Sequence, residues 1–392
     1  MKILAIDPFY LRMPDITTAA DGTQDTLVVR IRTDRGIEGW GECDASPLVS
    51  LAAYCCPMSH GNIISIRDSL LGETIDTPDD VRRLHAKALR NGSDIEQIDH
   101  AYAGADIALW DLVGKHLGMP VYRLLGGRAA HPKTPYASVL FGDTPEETLR
   151  IARGLRERGF SAAKFGWGPM GKKDAQTDAA LVRAAREGLG PEPELMVDAG
   201  WAWGRDVEAV LDRARRFAPY RLTWLEEPLL PNALPEYGEL ARRKPAVAIA
   251  AGENAATFRQ AENYIDQGGL SFIQIDAGRI GGITVARKVA ELAATKGITY
   301  VNHTFKSRLS VGAAFHVFAE FEAFKYLEYP SSGSALSEQL APGAFDRDAK
   351  GRVSATEDPG LGVTIRPDCL REYAVPVKID VSGQTIFSSV DV

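Results

Sequence analysis

In the second half of this chain, six ionisable residues stand where short apolar runs end. They are Asp198 in Met196-Val-Asp-Ala, Glu226 in Trp224-Leu-Glu-Glu-Pro, Glu253 in Ala251-Gly-Glu-Asn, Asp276 in Gln274-Ile-Asp-Ala, and then His303 and Glu328. They are separated by 28, 27, 23, 27 and 25 residues, each close to the length of one strand-plus-helix unit, so all six should converge on one mouth of a barrel. Any single acid is accounted for as the cap of the helix that follows it. Six ionisable groups gathered on an apolar-walled rim would repel one another and be poorly solvated unless a cation sat among them. Carboxylate oxygens suit a hard ion such as magnesium, whereas zinc would recruit His or Cys.

The elements needed to place these residues follow from hydrophobic pattern. From about Lys133 onward, short apolar strands alternate with Ala/Arg/Glu-rich amphipathic helices, which predicts repeated βα units and a parallel sheet. Eight strands are expected near Tyr136–Phe141, Ala162–Trp167, Glu194–Asp198, Leu222–Glu227, Ala248–Glu253, Phe272–Asp276, Thr299–His303 and Lys325–Glu328, a count that fits a closed barrel. Upstream, Leu27–Thr33 and Asp34–Glu42 read as a β-hairpin, and Ile95–Leu117 as a helix stopped by Gly118 and Pro120. The expected division is an α+β domain over residues 1–125, the barrel over 126–342, and a turn-rich segment over 343–392 that packs back on the first domain.

Composition narrows the function classes. The 392 residues carry 45 Lys+Arg against 52 Asp+Glu, a net charge of −7 with no basic run, so no nucleic-acid partner is expected. The four cysteines, Cys43, Cys55, Cys56 and Cys369, lack the spacing of a zinc site, which suggests a reduced, cytoplasmic protein. Asp7 and Pro8 interrupt the N-terminus, and no apolar window approaches a membrane span. Neither export nor a membrane partner is expected, and the assembly is expected to be a homo-oligomer.

Several runs together resemble the mandelate racemase subgroup of the enolase superfamily: Ile107-Ala-Leu-Trp-Asp-Leu-Val-Gly-Lys-His-Leu-Gly-Met-Pro-Val-Tyr-Arg-Leu-Leu-Gly-Gly127, Glu226-Glu-Pro228, Gly252-Glu-Asn254, Asp276 before Gly281-Gly282, and the strand-end His303 and Glu328. The resemblance spans nearly the whole chain and implies an α/β fold, a (β/α)7β modified TIM barrel with an N-terminal α+β capping domain. It also implies that Asp198, Glu226 and Glu253 hold Mg2+, that His303 and Asp276 form a proton-transferring dyad, and that Glu328 hydrogen-bonds the carboxylate of a small-molecule substrate. A proton next to a carboxylate is barely acidic, because its loss places a second negative charge on the same group; the site must therefore supply positive charge and donors there. Magnesium supplies the charge, Glu328 would donate if burial keeps it protonated, and Asp276 would orient His303 and make it more basic.

One departure from the family pattern decides the expected reaction. Members with Lys-x-Lys on the second barrel strand use its second lysine as a base opposite the histidine, but here Ala163-Lys164-Phe165-Gly166 has glycine there. Racemisation needs a base on each face, whereas elimination can be run by His303 alone. The expected activity is a sugar acid dehydratase, a hydro-lyase that forms a 2-keto-3-deoxy acid. The alternatives are a racemase or epimerase of a 2-hydroxy or amino acid derivative, and an inactive metal-binding homologue. Lys164 could bind the substrate carboxylate or simply pair with Asp198 or Glu226; Arg279 could add charge at the rim, and Lys172 or Lys173 could serve as a substitute base. Gly166–Lys173 also approaches a phosphate-binding loop, but Lys173 stands where a hydroxyl is needed and Pro169 lacks an N–H. The other histidines, His60, His85, His100, His116, His131 and His316, receive no role. In this family two loops close over the mouth, corresponding here roughly to Met13–Gln24 and Pro47–Asn62.

Overall fold

A computed structural model describes residues 1–389 apart from Ala20, Ala45, Asn62 and Glu96, the first and third of which fall in the two expected mouth loops. The chain opens with an antiparallel sheet, β1 (Ile3–Arg12), β2 (Asp25–Thr33) and β3 (Glu38–Cys43), paired in that order. The last two are the expected hairpin. The sequence pattern gives no sign of β1, because Pro8 interrupts it; Pro8 lies opposite Val29 in an edge strand, where a missing N–H is tolerated.

Four helices follow: α1 (Pro47–Cys55), α2 (Ile66–Leu70), α3 (Pro78–Asn91) and α4 (Ile98–Leu117). α4 ends at Gly118, whose φ of 66° makes the left-handed cap. It lies almost in contact with the backbone of β3. A Cβ on Gly39 would fall 2.0 Å from the Ala108 carbonyl oxygen, and one on Gly41 2.0 Å from that of Gly104, so only glycine permits this approach.

After α5 (Val121–Leu124) comes the barrel. Its strands are β4 (Thr134–Leu140), β5 (Ala162–Gly166), β6 (Glu194–Asp198), β7 (Leu222–Glu226), β8 (Ile249–Ala251), β9 (Phe272–Asp276), β10 (Thr299–His303) and β11 (Tyr326–Pro330). The seven helices between them are α6 (Pro145–Glu157), α7 (Ala175–Leu189), α8 (Val207–Phe217), α9 (Leu234–Arg242), α10 (Phe258–Gln267), α11 (Ile283–Lys296) and α12 (Arg308–Phe318). The sheet is parallel in the order β10-β9-β8-β7-β6-β5-β4-β11, giving the (β/α)7β modified barrel with its capping domain. Two strands differ from expectation. β8 stops at Ala251, leaving Glu253 in the loop beyond, and Glu328 lies inside β11 rather than at its end.

Strand periodicity explains why the polar groups meet. Tyr136, Ala162, Met196, Trp224, Ala250 and Val301 form a closed apolar cluster with Phe272 and Tyr326 packed against it. Trp224 sits at its centre, with ring centroids 5.5 Å from Tyr136, 4.9 Å from Phe272 and 5.6 Å from Tyr326. Alternate strand residues face the same way, so two positions further along the same eight strands come Ser138, Lys164, Asp198, Glu226, Gly252, Gln274, His303 and Glu328. An aromatic plug thus fills the floor of the barrel and places an ionisable layer directly above it.

The described ladder leaves β10 and β11 without direct backbone pairing, and Asn302 bridges them. Its side-chain amide accepts the Glu328 N–H at 2.9 Å and donates to the Glu328 carbonyl at 3.3 Å. Beyond β11 the chain forms α13 (Ala335–Leu340), α14 (Pro367–Tyr373) and a hairpin of β12 (Lys378–Val381) and β13 (Gln384–Ser388). This segment touches both units: the Val375 N–H donates to the Tyr10 carbonyl at 2.8 Å, and Lys133 and Val353 exchange backbone hydrogen bonds at 2.8 and 3.0 Å.

Buried acids stitch the domains together. Asp106 on α4 accepts the Thr284 N–H at 2.9 Å and the Thr284 hydroxyl at 2.6 Å, capping α11 from outside its own domain. A Cβ on Gly282 would come within 2.3 Å of that carboxylate. Asp111 accepts the backbone N–H groups of Trp40 and Leu361, both at 2.9 Å, with Lys115 Nζ at 2.6 Å. Glu42 on β3 accepts hydroxyls from Thr26, Ser307 and Ser310 at 2.8, 2.5 and 2.7 Å, which ties the start of α12 to the capping sheet. Among the described residues no helix is long and apolar enough to cross a membrane.

Candidate active site

Asp198 and Glu226 are the last residues of β6 and β7, and Glu253 follows β8 by two residues. All three are buried, and one carboxylate oxygen from each lies within 4.8 Å of the other two. Burial, and then the nearby Glu226 charge, drives the Asp198 carboxyl well above its ordinary range. Burial likewise raises Glu226, although Lys164 opposes it. A hard divalent cation would relieve this conflict, and an all-carboxylate donor set of this spacing fits one.

Lys164, in the middle of β5, meets the same acids from the side. Its Nζ stands 2.5 Å from Glu226 Oε1, 2.9 Å from Glu328 Oε1 and 3.7 Å from Asp198 Oδ2. Burial alone would favour loss of its proton, but Glu226 and Glu328 outweigh that and hold the ammonium charged. The other oxygen of Glu328 accepts the Thr304 N–H at 2.8 Å. Oε1, although 2.9 Å from the Lys164 ammonium, is buried without a hydrogen-bond partner, so one oxygen of Glu328 is left for a bound group.

His303, at the end of β10, sits beside Asp276 at the end of β9, with Nδ1 2.6 Å from Asp276 Oδ2. Its Nε2 lies 3.4 Å from Glu253 Oε2. Burial opposes the charged imidazolium, yet Glu253 and Asp276 overcome it and push the His303 pKa up to about 10. Arg279 completes this side, 3.2 Å from Asp44, 3.4 Å from Glu253 and 3.9 Å from Asp276.

Asp44 is a residue the sequence reading missed. It follows β3 of the capping domain and enters the barrel mouth, where it meets Arg279 and, at 3.4 Å, Lys306 Nζ. Opposed by burial but surrounded by Arg279 and Lys306, its carboxyl is held far below the usual range. Its only signal in sequence is an acid at a hairpin end, which is as common in surface turns. Asn302 was missed for a similar reason: a buried amide one residue before the histidine looks like any polar strand residue until its bridge to β11 is seen.

Asp44, Lys164, Asp198, Glu253, Arg279, His303 and Glu328 line one cavity of 620 Å³, together with Trp167, Trp201, Phe305, His100 and Val49, whereas Glu226 and Asp276 are not on its surface. Trp167 and Trp201 stand edge to face with centroids 5.4 Å apart, and both have left-handed backbone, with φ of 54° and 63°. Bulky residues held in that region mark a wall whose shape the surroundings enforce. Trp201 donates its indole N–H to Glu227, which also accepts from Asn254 Nδ2 at 3.1 Å; burial raises the Glu227 carboxyl to about 8. Gly166 faces the cavity, and a Cβ there would lie 2.9 Å from that of Asp198. The close approach of Asp198 leaves no room for a side chain at Gly166 without a shift, so no second base stands on this strand.

Other candidates from the sequence do not join the site. Lys172 and Lys173 are exposed in the loop after β5 and do not line the cavity. His85 and His316 are buried, which pushes both rings down to about 4, and His60 pairs with Asp94 at 3.1 Å. His100, given no role from sequence, lines the cavity from the first turn of α4.

Eight parallel strands under an antiparallel cap, with acids on successive strand ends and a His–Asp pair beside them, define an enolase-type barrel. The chain belongs to the mandelate racemase and muconate lactonizing enzyme family of that superfamily: residues 6–126 match the mandelate racemase / muconate lactonizing enzyme N-terminal domain, and residues 147–369 the enolase C-terminal domain-like family. A 3,6-anhydro-alpha-L-galactonate cycloisomerase from Streptomyces coelicolor is 31% identical, covering 94% of this chain and 96% of its own. An L-talarate/galactarate dehydratase from Salmonella typhimurium is 30% identical, covering 88% and 81%. A solved structure described as a predicted mandelate racemase from Rhodobacter sphaeroides is 47% identical, covers 99% of both chains and superposes with a TM-score of 0.95. A racemase from Streptomyces coelicolor A3(2), solved with bound magnesium, is 27% identical over 95% of this chain and all of its own, with a TM-score of 0.79.

Proposed function

We propose that this protein is a magnesium-dependent dehydratase of a polyhydroxylated carboxylic acid, an aldonate or aldarate, releasing a 2-keto-3-deoxy acid. The observation that carries the reading is the single His303–Asp276 pair opening onto the same cavity as the three-acid cluster, with Gly166 where a second base would stand. Asp198, Glu226 and Glu253 would hold the ion, which when bound supplies fixed positive charge where the substrate carboxylate gains electron density.

The chain's own residues account for the proton movements. Asp276 accepts from Nδ1 of His303 and so leaves Nε2 to act on the substrate. His303 gives up its second proton once Glu253 is committed to the ion; the α-carbon C–H bond then breaks and its proton passes to Nε2, the C–O bond to the β-hydroxyl breaks as His303 returns the proton so that water leaves, and the enol takes up a solvent proton at C3. Lys164, kept charged by Glu226 and Glu328, is placed to meet a substrate carboxylate oxygen. Because Glu226, Glu328 and Asp198 surround it, Lys164 is a poor second base, which weighs against a racemase. The dehydratase and cycloisomerase activities of the curated relatives support a sugar acid as substrate class.

Screening aldonic and aldaric acids with magnesium for 2-keto-3-deoxy products tests this. Turnover of at least one is expected. No such product from any of them, together with consumption of an anhydro sugar acid, would replace the reading with the cycloisomerase activity of the Streptomyces relative.

A further inference from the structure

A second cavity, of 320 Å³, lies outside the barrel mouth and shares no lining residue with it. Its walls come from four separate segments: Arg158 just after α6, Arg308 at the start of α12, Tyr329 and Ser331 around the end of β11, and Arg347 in the C-terminal segment. Sequence gives no hint of it, because these arginines are spread over 190 positions and none falls in a motif.

Each guanidinium is fixed by part of its donor set and leaves the rest unused. Arg308 stacks on the Tyr329 ring, with Cζ 4.1 Å from the centroid, and Nη2 donates to the Tyr329 hydroxyl at 2.6 Å. Its Nη1 is buried without a hydrogen-bond partner, and so is the Ser331 hydroxyl oxygen. Arg158 donates to the Ser331 carbonyl at 2.8 Å, and Arg347 to the Arg158 carbonyl at 2.9 Å while stacking 3.8 Å over Phe160. Among the described residues neither Arg158 nor Arg347 has an ion-pair partner, and the carboxylate nearest Arg308 is that of Asp346, 4.0 Å away and 68% exposed. Lys306 also borders the cavity, but its ammonium turns away to the carbonyls of Gly22 and Asp25.

Three like charges with idle planar donors outnumber the two carboxylates on the same walls, Asp346 and Glu338, and leave a net positive charge that an acceptor with more than one negative charge would balance. We infer that this cavity binds a small, multiply charged oxyanion, a phosphate group or a compact dicarboxylate, at a site separate from the barrel mouth. The bound anion joins Nη1 of Arg308 and the Ser331 hydroxyl to the free edges of Arg158 and Arg347. It therefore clasps the β10–α12 connection, β11 and the C-terminal segment together, and its binding stabilises the fold.

The test is calorimetric titration of the whole protein at low ionic strength, with inorganic phosphate in one arm and malonate in the other, paired with thermal melting. Saturable binding of one or both is expected, with a rise in melting temperature, and the tighter probe identifies the ligand class. Arg308→Gln and Arg347→Gln should each weaken binding by about tenfold or more and erase most of the thermal shift. His303→Asn should leave binding intact, which separates this site from the barrel mouth. No saturable binding of either probe, binding unchanged in both arginine variants, or loss of binding in His303→Asn would each overturn the inference.

Discussion

Two regions of this molecule gather several buried carboxylates each, and their partners differ in kind. At the domain seam, Asp106, Asp111 and Glu42 are surrounded by backbone N–H groups, hydroxyls and one lysine, most of them contributed by other parts of the chain. At the barrel mouth, Asp198, Glu226 and Glu328 share the cation Lys164, and Glu253 closes on Asp198 and Glu226 with Arg279 and His303 beside it. Acids of the first kind are satisfied and hold the fold together. Those of the second kind are in conflict until a cation and a substrate arrive, so their removal should injure chemistry far more than stability.

The largest effect should come from breaking the mouth. Chelation, or Glu226→Gln, is expected to reduce turnover by roughly a thousandfold or more. Magnesium should restore the chelated protein fully and the variant not at all, while the urea midpoint of the metal-free variant stays at or above that of the metal-free parent. A large loss of stability would place Glu226 with the seam acids. Next in size, Asp276→Asn should lower kcat by about 10²- to 10⁴-fold with magnesium affinity retained. Asp276 helps to raise the His303 pKa, so removing its charge lowers that pKa and moves the acidic limb of the pH–rate profile to lower pH. An unmoved limb would show that the pair does not work as a unit.

How much of this was legible in sequence follows the same division. The mouth acids announce themselves because short buried strands end at nearly constant intervals, and a period of two carries each side chain to the same face as its neighbours on other strands. The seam acids do not: Asp106 and Asp111 sit in a helix buried all round from Ala101 to Gly114, so no amphipathic period marks the side they face, and their partners lie 178 and 250 positions away. Asp44 belongs to the mouth, yet it reaches it from the other domain, so no strand spacing could find it. Lys164 was left between two roles because pairing within a cluster of acids depends on side-chain direction, which the motif does not encode. The hollow around Arg308 was invisible for the same reason.

At the seam, Asp106→Ala is expected to destabilise the protein by about 2–3 kcal/mol, since it strands the Thr284 N–H and hydroxyl at the start of α11. Equilibrium urea denaturation measures this, and kcat/KM of the folded variant should change little. An Asp106→Ala protein of parental stability but without activity would invert the comparison. The smallest effect is expected from Asn302→Ala, which removes the side-chain bridge between β10 and β11 and leaves the Glu328 N–H without its acceptor. A loss of about 1–2 kcal/mol is expected, with a severalfold rise in KM if the bridge also sets the position of Glu328.

The central claim is that His303 alone moves the protons of an elimination. It is tested most directly by incubating an acid-sugar substrate found in the screen with the magnesium-loaded protein in D2O, following both the product and the α-position of recovered substrate by NMR. The parent should form a 2-keto-3-deoxy acid carrying solvent deuterium at C3, and His303→Asn should give neither product nor exchange at the α-carbon. Continued α-exchange in His303→Asn that disappears in Lys164→Ala would contradict the account and make Lys164 the base.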